Sequence, residues 1–427
     1  MMEMKLRTLT PLFIGRGEEL VSYNWYINVN GIQRDLCLEN EAYILKKDLI
    51  SILLNELNLR PRDIKKIFHN NENKILNLKE IEQKIKNYNI IEKEQILNKI
   101  EEYKVKLKAK NYERQRIESK GLELFSFIDK DNELFFYIPG SSIKGVLRTY
   151  VIFKLLLEIN NLLGNRFEYL ANGKIKNKLL ELRRKKDKKS QLTNVINDLK
   201  SDEDVLFLEF IVKLIESFLS EKDLSFKVNL KDKRTTSFKI SKESLEEIIK
   251  GNGVLKNKVS KFIKKNRLDN KYFNFLKSLE NLSYKIEDYL KKYSWLYGFF
   301  KATNFIVRDS EFLDLKNFIV LEVKRKKENE EKQGIPNFIL ALDENKEVKF
   351  ELIIKNHKKE FFEFLEKKII SNVKFPVMED NTLKLEMGRF AGANFKSFLA
   401  FLMDYYPSTE NFTCDNKKLG KIELIFK

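Results

Sequence analysis

Apolar and polar positions alternate near both ends of the chain, which is the pattern of half-buried β-strands. Residues 3–9 show this pattern, and 21–29 show it again after a predicted turn at Gly15-Arg16-Gly17. Two aromatic runs, 122–128 and 134–138, flank turn-forming residues and predict a hairpin. The same reasoning predicts five further strands, at 303–308, 317–325, 347–354, 382–387 and 420–426.

Between these strands, apolar residues recur three or four positions apart, which is the spacing of an amphipathic helix. This spacing predicts helices from about 45 to 118 and through most of 160–295. Pro139-Gly140 ends the hairpin, and Ser141 or Ser142 can cap a helix that follows it. Further helices are predicted near 357–370 and at 395–404.

Strands interleaved with helices predict an α+β fold of two domains with large helical insertions. We expect an N-terminal domain over 1–160, with a helical insertion at about 45–120. A mainly helical, Lys-rich insertion is expected over 161–295, and a C-terminal domain over 296–427.

The balance of charges is strongly basic. The 427 residues include 81 Lys and Arg against 63 Asp and Glu, which gives a formal net charge of +18. An excess of this size favours association with polyanions such as RNA. Lysine supplies 65 of the basic residues, however, and a Lys-rich surface can equally serve solvation alone. The run 174–189, with nine basic and two acidic residues, leaves the same two interpretations open.

Catalytic, metal and cofactor sites are not predicted. His69 and His357 each stand in a polar segment, without a Cys or a second His at metal-ligand spacing. The chain has no nucleophile elbow, Walker loop or zinc-protease motif. No apolar run is long enough for a membrane span, and the N-terminus lacks a secretory signal, so we expect a cytoplasmic protein without cofactor.

Three segments combine glycine with basic or hydroxyl side chains, a combination that suits contact with an RNA backbone. Glycine lets the main chain approach a phosphate closely, hydroxyls donate to phosphate oxygens, and Lys and Arg add charge. Phe13 and Phe390 beside these segments are expected to be buried anchors rather than stacking platforms. The predicted RNA-binding residues are Gly15, Arg16 and Gly17, then Ser141, Ser142, Lys144, Gly145 and Arg148, and finally Gly388, Arg389, Gly392 and Lys396.

Several of these residues lie in motifs of a known family. The segment Tyr137–Arg148, YIPGSSIKGVLR, resembles the "IPGSSlKG.lR" motif of the RAMP superfamily, the RNA-recognition-fold subunits of CRISPR ribonucleoproteins. Residues 9–17, LTPLFIGRG, are similar to the family's N-terminal motif, and Val307–Glu311, VRDSE, resembles its "vsDSe" strand end. The order of the motifs is most similar to the fifth Csm subunit of type III-A effector complexes.

The resemblance implies two ferredoxin-like, RNA-recognition-like domains, and it adds Arg308 and Ser310 to the predicted RNA-binding residues. It implies guide RNA (crRNA) as a partner, contacted near its 3′ end, together with the other Csm subunits of an antiviral defence complex. It also implies support of crRNA 3′ maturation through recruited host nucleases, with no chemistry of the chain's own. We interpret Asp309 as a turn-capping residue rather than a catalytic one.

Two alternatives stay open. The chain could be a CRISPR repeat endoribonuclease of the same superfamily, with His69 and His357 as the candidates for general base and acid. It could also be an assembly scaffold whose basic surface contacts acidic subunits. Site-specific cleavage of repeat RNA would favour the first alternative, and nuclease-insensitive binding to protein partners would favour the second.

Overall fold

The computed structural model describes most of the chain's two ends and nearly all of 202–325. The described residues are 1–20, 25–28, 37–44, 104–110, 122–130, 133–178, 202–251, 253–325, 337–369, 375–388, 411–413 and 419–427, with the single positions 94, 98, 398 and 402. Within these ranges, no helix is both long and apolar enough to cross a membrane.

The described elements alternate between strands and helices. The strands are β1 Met2–Thr8, β2 Gly15–Leu20, β3 Trp25–Asn28, β4 Cys37–Ile44, β5 Lys104–Lys110, β6 Leu122–Phe125, β7 Phe127–Lys130, β8 Glu133–Phe136, β9 Leu224–Asn229, β10 Thr235–Ile240, β11 Phe305–Val307, β12 Phe318–Arg325, β13 Asn337–Leu342, β14 Glu347–Ile354, β15 Thr382–Glu386, β16 Asn411–Thr413 and β17 Lys421–Phe426. The α-helices are α1 Gly140–Leu162, α2 Arg166–Tyr169, α3 Glu203–Ser220, α4 Lys242–Ile249, α5 Val254–Lys265, α6 Asn270–Lys292 and α7 Lys358–Glu366.

A five-stranded sheet brings the two ends of the chain together. Its order is β11-β14-β1-β17-β15, and every neighbouring pair is antiparallel. Met4 and Leu6 of β1 are fully buried, because alternate residues of the strand face the helices. With α1 between β1 and β11, and α7 between β14 and β17, the elements follow the β-α-β-β-α-β order of a ferredoxin-like unit.

A second sheet has eight strands within the described ranges, in the order β2-β6-β13-β12-β5-β4-β3, with β16 also paired to β12. Its first strand corrects the sequence prediction, because Gly15, Arg16 and Gly17 lie in β2 rather than in a turn. The pairing of β2 with β6 shifts in register between Gly15 and Glu19. Such an irregularity is the usual way in which a strand accommodates glycine.

The predicted helical region 45–118 is wrong at its C-terminal part, where Lys104–Lys110 forms β5. The sequence KVKLKAK alternates strictly between charged and apolar residues, which is the period of a strand rather than a helix. Glu94 and Asn98 are helical as predicted. The rest of 45–103 lies outside the described residues.

The predicted hairpin is divided at Ser126. Its first part, β6, joins the eight-stranded sheet, whereas β7 and β8 form a separate two-stranded sheet. Ser126 is fully buried, its N–H donates to the Ile14 carbonyl at 2.7 Å, and its carbonyl accepts the Tyr137 N–H at 3.1 Å. These two hydrogen bonds place the N-terminal motif, residues 9–17, beside the residues that lead into α1.

Residues 202–292 are mostly helical, as predicted for 160–295, but they contain a β-hairpin that the prediction missed. β9 and β10 pair in antiparallel register, and β9 alternates buried and exposed residues. Phe226 and Phe238 point inwards, and their ring centroids lie 5.6 and 6.0 Å from that of Phe210 in α3. Short alternating strands between long helices carry a weaker pattern than the helices around them.

The other predicted elements fall where the structure describes them, with ends that differ by up to four residues. The strands predicted from 303 onwards are confirmed as β11, β12, β14, β15 and β17, and the helix predicted near 357–370 is α7. Phe398 and Leu402, in the predicted helix 395–404, are helical and buried, while the rest of that helix lies outside the described residues.

Strand pairing crosses the predicted domain boundaries. The five-stranded sheet combines β1 from the predicted N-terminal domain with four strands from 296–427. The eight-stranded sheet also draws strands from both halves. The boundary at 160 falls inside α1. The division into 1–160, 161–295 and 296–427 stays a prediction about folding units.

A buried lysine fixes α1 against the end of α7. Lys154 is fully buried, and its ammonium donates to the carbonyl oxygens of Phe364 and, at 3.0 Å, Leu365. Burial lowers the pKa of Lys154 from 10.5 to about 7, even though the nearby Glu158 carboxylate acts to raise it. The Lys154 ammonium therefore donates to two carbonyls near the C-terminus of α7, but its lowered pKa means that it loses its proton more easily than an exposed lysine does.

We expect the free energy of unfolding to rise as the pH increases from about 7 towards 10.5. In this window the unfolded chain keeps the proton of Lys154 and the folded chain releases it, so the unfolded state binds more protons. The gain is at most about 1.4 kcal/mol per pH unit. Urea denaturation at about pH 6 and about pH 9, for the wild type and Lys154→Met, measures it. Equal pH dependence in both proteins would contradict the prediction.

Candidate nucleic-acid interface

The start of α1 is built from two distant segments of the chain. Pro139 is the N-cap residue in an extended conformation, and neither Ser141 nor Ser142 caps the helix as predicted. The Asp309 carboxylate instead accepts the Gly140 N–H at 2.8 Å. A carboxylate of the chain itself thus lies at the helix N-terminus, where the sequence suggested room for a phosphate.

Gly140 and Ser310 hold this junction together. A Cβ on Gly140 would overlap the Val307 carbonyl and would lie 2.7 Å from the Arg308 carbonyl oxygen. The Ser310 hydroxyl accepts the Ile138 N–H at 2.9 Å and donates to the Glu311 carbonyl at 2.8 Å. Ser310 is 8% exposed, and both hydrogen bonds of its hydroxyl are made to main-chain groups of the protein itself.

Lys144, on the second turn of α1, reaches the segment that leads into β11. Its ammonium donates to the carbonyl oxygens of Phe305 at 2.6 Å and Lys301 at 3.2 Å. Burial lowers the pKa of Lys144, and repulsion from the Arg148 guanidinium lowers it further. Lys144 therefore anchors α1 to the turn before β11 while adding positive charge near Arg148.

The outward face of α1 is open at Gly145. Both Ser141 and Gly145 are exposed, and they are four residues apart on one face of the helix. Apart from its two chain neighbours and the nearby backbone of its own helix, no atom of the described residues lies within 4 Å of the place where a Cβ on Gly145 would sit. Glycine in a helix interior costs about 1 kcal/mol relative to alanine. Packing against the described residues gives no reason for that cost, since none of their side chains covers Gly145.

Arg148 borders the same open face. The side chain is half-buried, and its Nε finds no acceptor among the residues that the structure describes. That Nε is enclosed and cannot itself meet an external ligand, but the side chain as a whole is only half-buried, and a phosphate oxygen is a strong acceptor for a guanidinium. Ser141, Gly145 and Arg148 thus form what we call the α1 face: a hydroxyl, an uncovered stretch of main chain and an incompletely bonded guanidinium.

The first glycine segment, around Gly15, and the third, which begins at Gly388, lie against each other. Gly388 is the residue of the third segment that the structure describes. Gly388 has φ +100°, and a Cβ there would lie 2.5 Å from the Phe13 carbonyl oxygen. Gly15 lies against the ring of Phe13, which is buried as predicted. Both glycines therefore meet packing needs of their own. Arg389, Phe390, Gly392 and Lys396 lie outside the described residues.

Arg308 lies at the rim of an open cleft of about 560 Å³ next to the N-terminus. Its guanidinium is 62% exposed and forms an ion pair with Glu351 at 2.7 Å. The cleft lining contains Arg308 and Lys349, but also four carboxylates, those of Glu3, Asp309, Glu311 and Glu351. The mixed charge makes this cleft a poorer phosphate site than the α1 face.

Comparison with known proteins assigns the family. The family model of the RAMP superfamily matches residues 5–406 of this chain. The chain belongs to the RAMP superfamily. The RAMP match includes residues 9–17, the start of α1, the Val307–Glu311 strand end and Gly388, which are described parts of the motifs noted in the sequence.

Individual proteins that are similar to this chain are between 15% and 29% identical to it over the matched residues. The chain is 29% identical over 318 residues to the CRISPR system Cms protein Csm5 of Methanocaldococcus jannaschii, covering 69% of this chain and 65% of that protein. The match therefore spans slightly less than two thirds of the relative. A chain in the cryo-EM structure of a type III-A Csm-crRNA-target RNA ternary complex has a TM-score of 0.44 at 15% identity, with full coverage of both chains. The crystal structure of T. onnurineus Csm5 gives a TM-score of 0.44 at 15% identity, covering 98% and 99%.

The RAMP motifs therefore contain two kinds of residue. Gly140, Ser310 and Lys144 bond or pack within the chain, whereas Ser141, Gly145 and Arg148 are left on the α1 face. Sequence reasoning could not separate the two groups, because the main-chain partners of Lys144, and the Ile138 N–H that bonds Ser310, are more than 150 residues away in sequence. RNA contact by any of these residues stays a prediction.

Proposed function

We propose that this RAMP protein is a non-catalytic, crRNA-binding subunit of a type III-A CRISPR complex, similar to Csm5. It would contact the crRNA near the 3′ end, support 3′ maturation by recruited nucleases, and assemble with other Csm subunits. We also propose two ferredoxin-like domains; the five-stranded sheet with α1 and α7 supports one of them. Family membership and the curated Csm5 relative support the assignment.

The uncovered main chain at Gly145 carries the proposal. It lies between an exposed serine and a half-buried arginine on the same face of the helix. A sugar-phosphate backbone matches these features, because it offers acceptors to the hydroxyl and guanidinium and needs close approach to the helix. A protein scaffold alone would not require an empty position on an exposed helix turn.

The endoribonuclease alternative has less support. His357 lies at the start of α7, where its Nδ1 is 3.1 Å from the Glu360 carboxylate, and the α1 face lies on a different helix. His69 lies outside the described residues. The geometry of the described chain does not bring a general base and acid together at the α1 face.

We expect Arg148→Ala to weaken the affinity of the full chain for a crRNA 3′ segment about fivefold to tenfold. One lost phosphate contact should also reduce the salt dependence of log K by about 0.7. Gly145→Glu should weaken binding more, because it places a bulky negative charge on the uncovered turn. Fluorescence anisotropy with labelled RNA at several salt concentrations measures both effects.

Arg7→Ala is the matched control, since Arg7 is also a partly exposed arginine but pairs with Glu347 on the sheet. It should leave RNA affinity nearly unchanged. Equal losses in Arg148→Ala and Arg7→Ala would contradict the proposal. Site-specific cleavage of repeat RNA that disappears in His357→Ala would replace it with the endoribonuclease.

A further inference from the structure

The helix pair α5–α6 has a charge distribution that the proposed function does not use. The two helices pack antiparallel: Gly253 before α5 contacts Glu287, and Lys256 lies over Tyr284, both in α6. Residues 253–292 include eleven Lys and Arg but four Asp and Glu, a net charge of +7. Helix α5 itself carries five lysines and no acidic residue.

Three of the four acidic side chains are bonded within the pair and the turn before α6. Glu287 is 1% exposed and accepts the N–H groups of Gly253 at 2.9 Å and Leu255 at 2.5 Å, which caps α5. Glu280 pairs with Lys277 at 2.8 Å. Asp269 accepts the Lys271 N–H and caps α6. Asp288 is left as the exposed carboxylate of this segment.

The lysines, by contrast, are free to meet an external anion. None of the five ammonium groups of α5 forms an ion pair with a carboxylate of the described chain; they belong to Lys256, Lys258, Lys261, Lys264 and Lys265. A lysine surface that served solvation alone would ordinarily be mixed with exposed acids of opposite sign. Here three of the four acids are bonded within the helix pair and the turn before α6, and Asp288 is the exposed one.

Exposed aromatic rings accompany these cations. Tyr284 is 55% exposed, and the Lys256 ammonium lies 5.0 Å from the centre of its ring. Phe273 is 42% exposed on the same stripe of α6, about 16 Å away along the helix. Each ring offers a face on which an unpaired base can stack, and such aromatic platforms beside basic side chains are a feature of single-strand binding surfaces.

From these contacts we infer that α5 and α6 form a second RNA-binding surface, separate from the α1 face, which takes single-stranded RNA without sequence preference. Lysines of α5 contact phosphates, and Tyr284, assisted by Phe273, stacks on bases. Single-stranded RNA fits better than an acidic protein, because an acidic partner would use the ammonium groups but not the exposed rings. Duplex RNA would leave the rings unused, since its bases are already stacked.

The test measures binding of a fluorescein-labelled 20-nucleotide oligouridine to the full chain. Replacing four α5 lysines by glutamine (Lys256, Lys261, Lys264 and Lys265) should reduce the salt dependence of log K by about 3, which corresponds to four lost phosphate contacts. Tyr284→Ala should weaken binding about tenfold without changing the salt dependence. With 4-thiouridine in the oligonucleotide, ultraviolet cross-linking should label the tryptic peptide 278–285 that contains Tyr284.

The charge-matched control replaces four exposed lysines elsewhere by glutamine: Lys355, Lys358, Lys359 and Lys384. Equal loss of binding in the two quadruple variants, or no change in Tyr284→Ala, would overturn the inference. Displacement of the oligouridine by polyglutamate as efficient as by unlabelled RNA would assign the surface to an acidic protein instead. Cross-linking of the wild type is independent of whether a variant folds, and an unlabelled 278–285 peptide would also count against the surface. Arg148→Ala tests the α1 face, whereas the α5 lysine variant and Tyr284→Ala test the α5–α6 surface. The two proposals can therefore fail independently of each other.

Discussion

Gly140→Ala should destabilise the protein by about 3 kcal/mol or more, which is among the largest effects expected from a single methyl group. The added Cβ would overlap the Val307 carbonyl and crowd the Arg308 carbonyl oxygen. Both are main-chain groups, so neither can move aside as a flexible side chain could. The Gly140 N–H bond to Asp309 would be lost with any shift of the helix. Urea denaturation followed by circular dichroism measures the change.

Gly145→Ala is the natural control, because it makes the same chemical change five residues further along α1. With open space around the new methyl group, alanine should raise the free energy of unfolding by about 0.5 to 1 kcal/mol. Opposite signs for the two variants would show that one glycine serves packing and the other does not. Destabilisation by both would contradict our view that the α1 face is uncovered.

Glu158→Ala is expected to lower the free energy of unfolding by about 2 to 3 kcal/mol. The Glu158 side chain is 11% exposed, and its carboxylate accepts from the Lys367 ammonium at 2.5 Å and from the Tyr293 hydroxyl. Removing it leaves Lys367 and the buried Lys154 without their nearest negative charge. The pKa of Lys154 should then fall further, because Glu158 acts to raise it.

Glu366→Ala serves as the comparison for this second prediction, since Glu366 is an exposed glutamate at the end of α7. It should change stability by less than about 0.5 kcal/mol. Thermal unfolding of both variants at one pH gives the difference. Similar small effects would mean that the carboxylate of Glu158 does not hold α1 against α6 and α7.

How much the sequence could predict depends on the range of each interaction. Strands such as β14 and β17 were predictable, because alternation is a local pattern and one face of each is buried. β5 is equally visible in KVKLKAK, but the apolar spacing of the longer region 45–118 predicts helix there, and the short strand falls inside it. The interleaving of both chain ends in each sheet was not predictable, because pairing between β1 and β17 leaves no trace in either segment alone.

The candidate site shows the same limit. The motif at 139–148 correctly indicated a helix start beside a glycine turn. It could not show that the carboxylate of Asp309 lies where a phosphate was expected, because that contact joins residues 169 positions apart. Tyr284 was missed altogether, since a tyrosine at helical spacing is more often part of a core, and it takes the structure to show that the ring faces outwards.

The interior position of β17 has a consequence for the assembly of the five-stranded sheet. β17 lies between β1 and β15 and pairs with both. Without β17, β1 would keep one open edge, and β15 would lose the one strand that it pairs with in the described chain. Because β1 and β17 are far apart in sequence, their pairing makes folding slow, and the edge of β1 needs protection until β17 is in place.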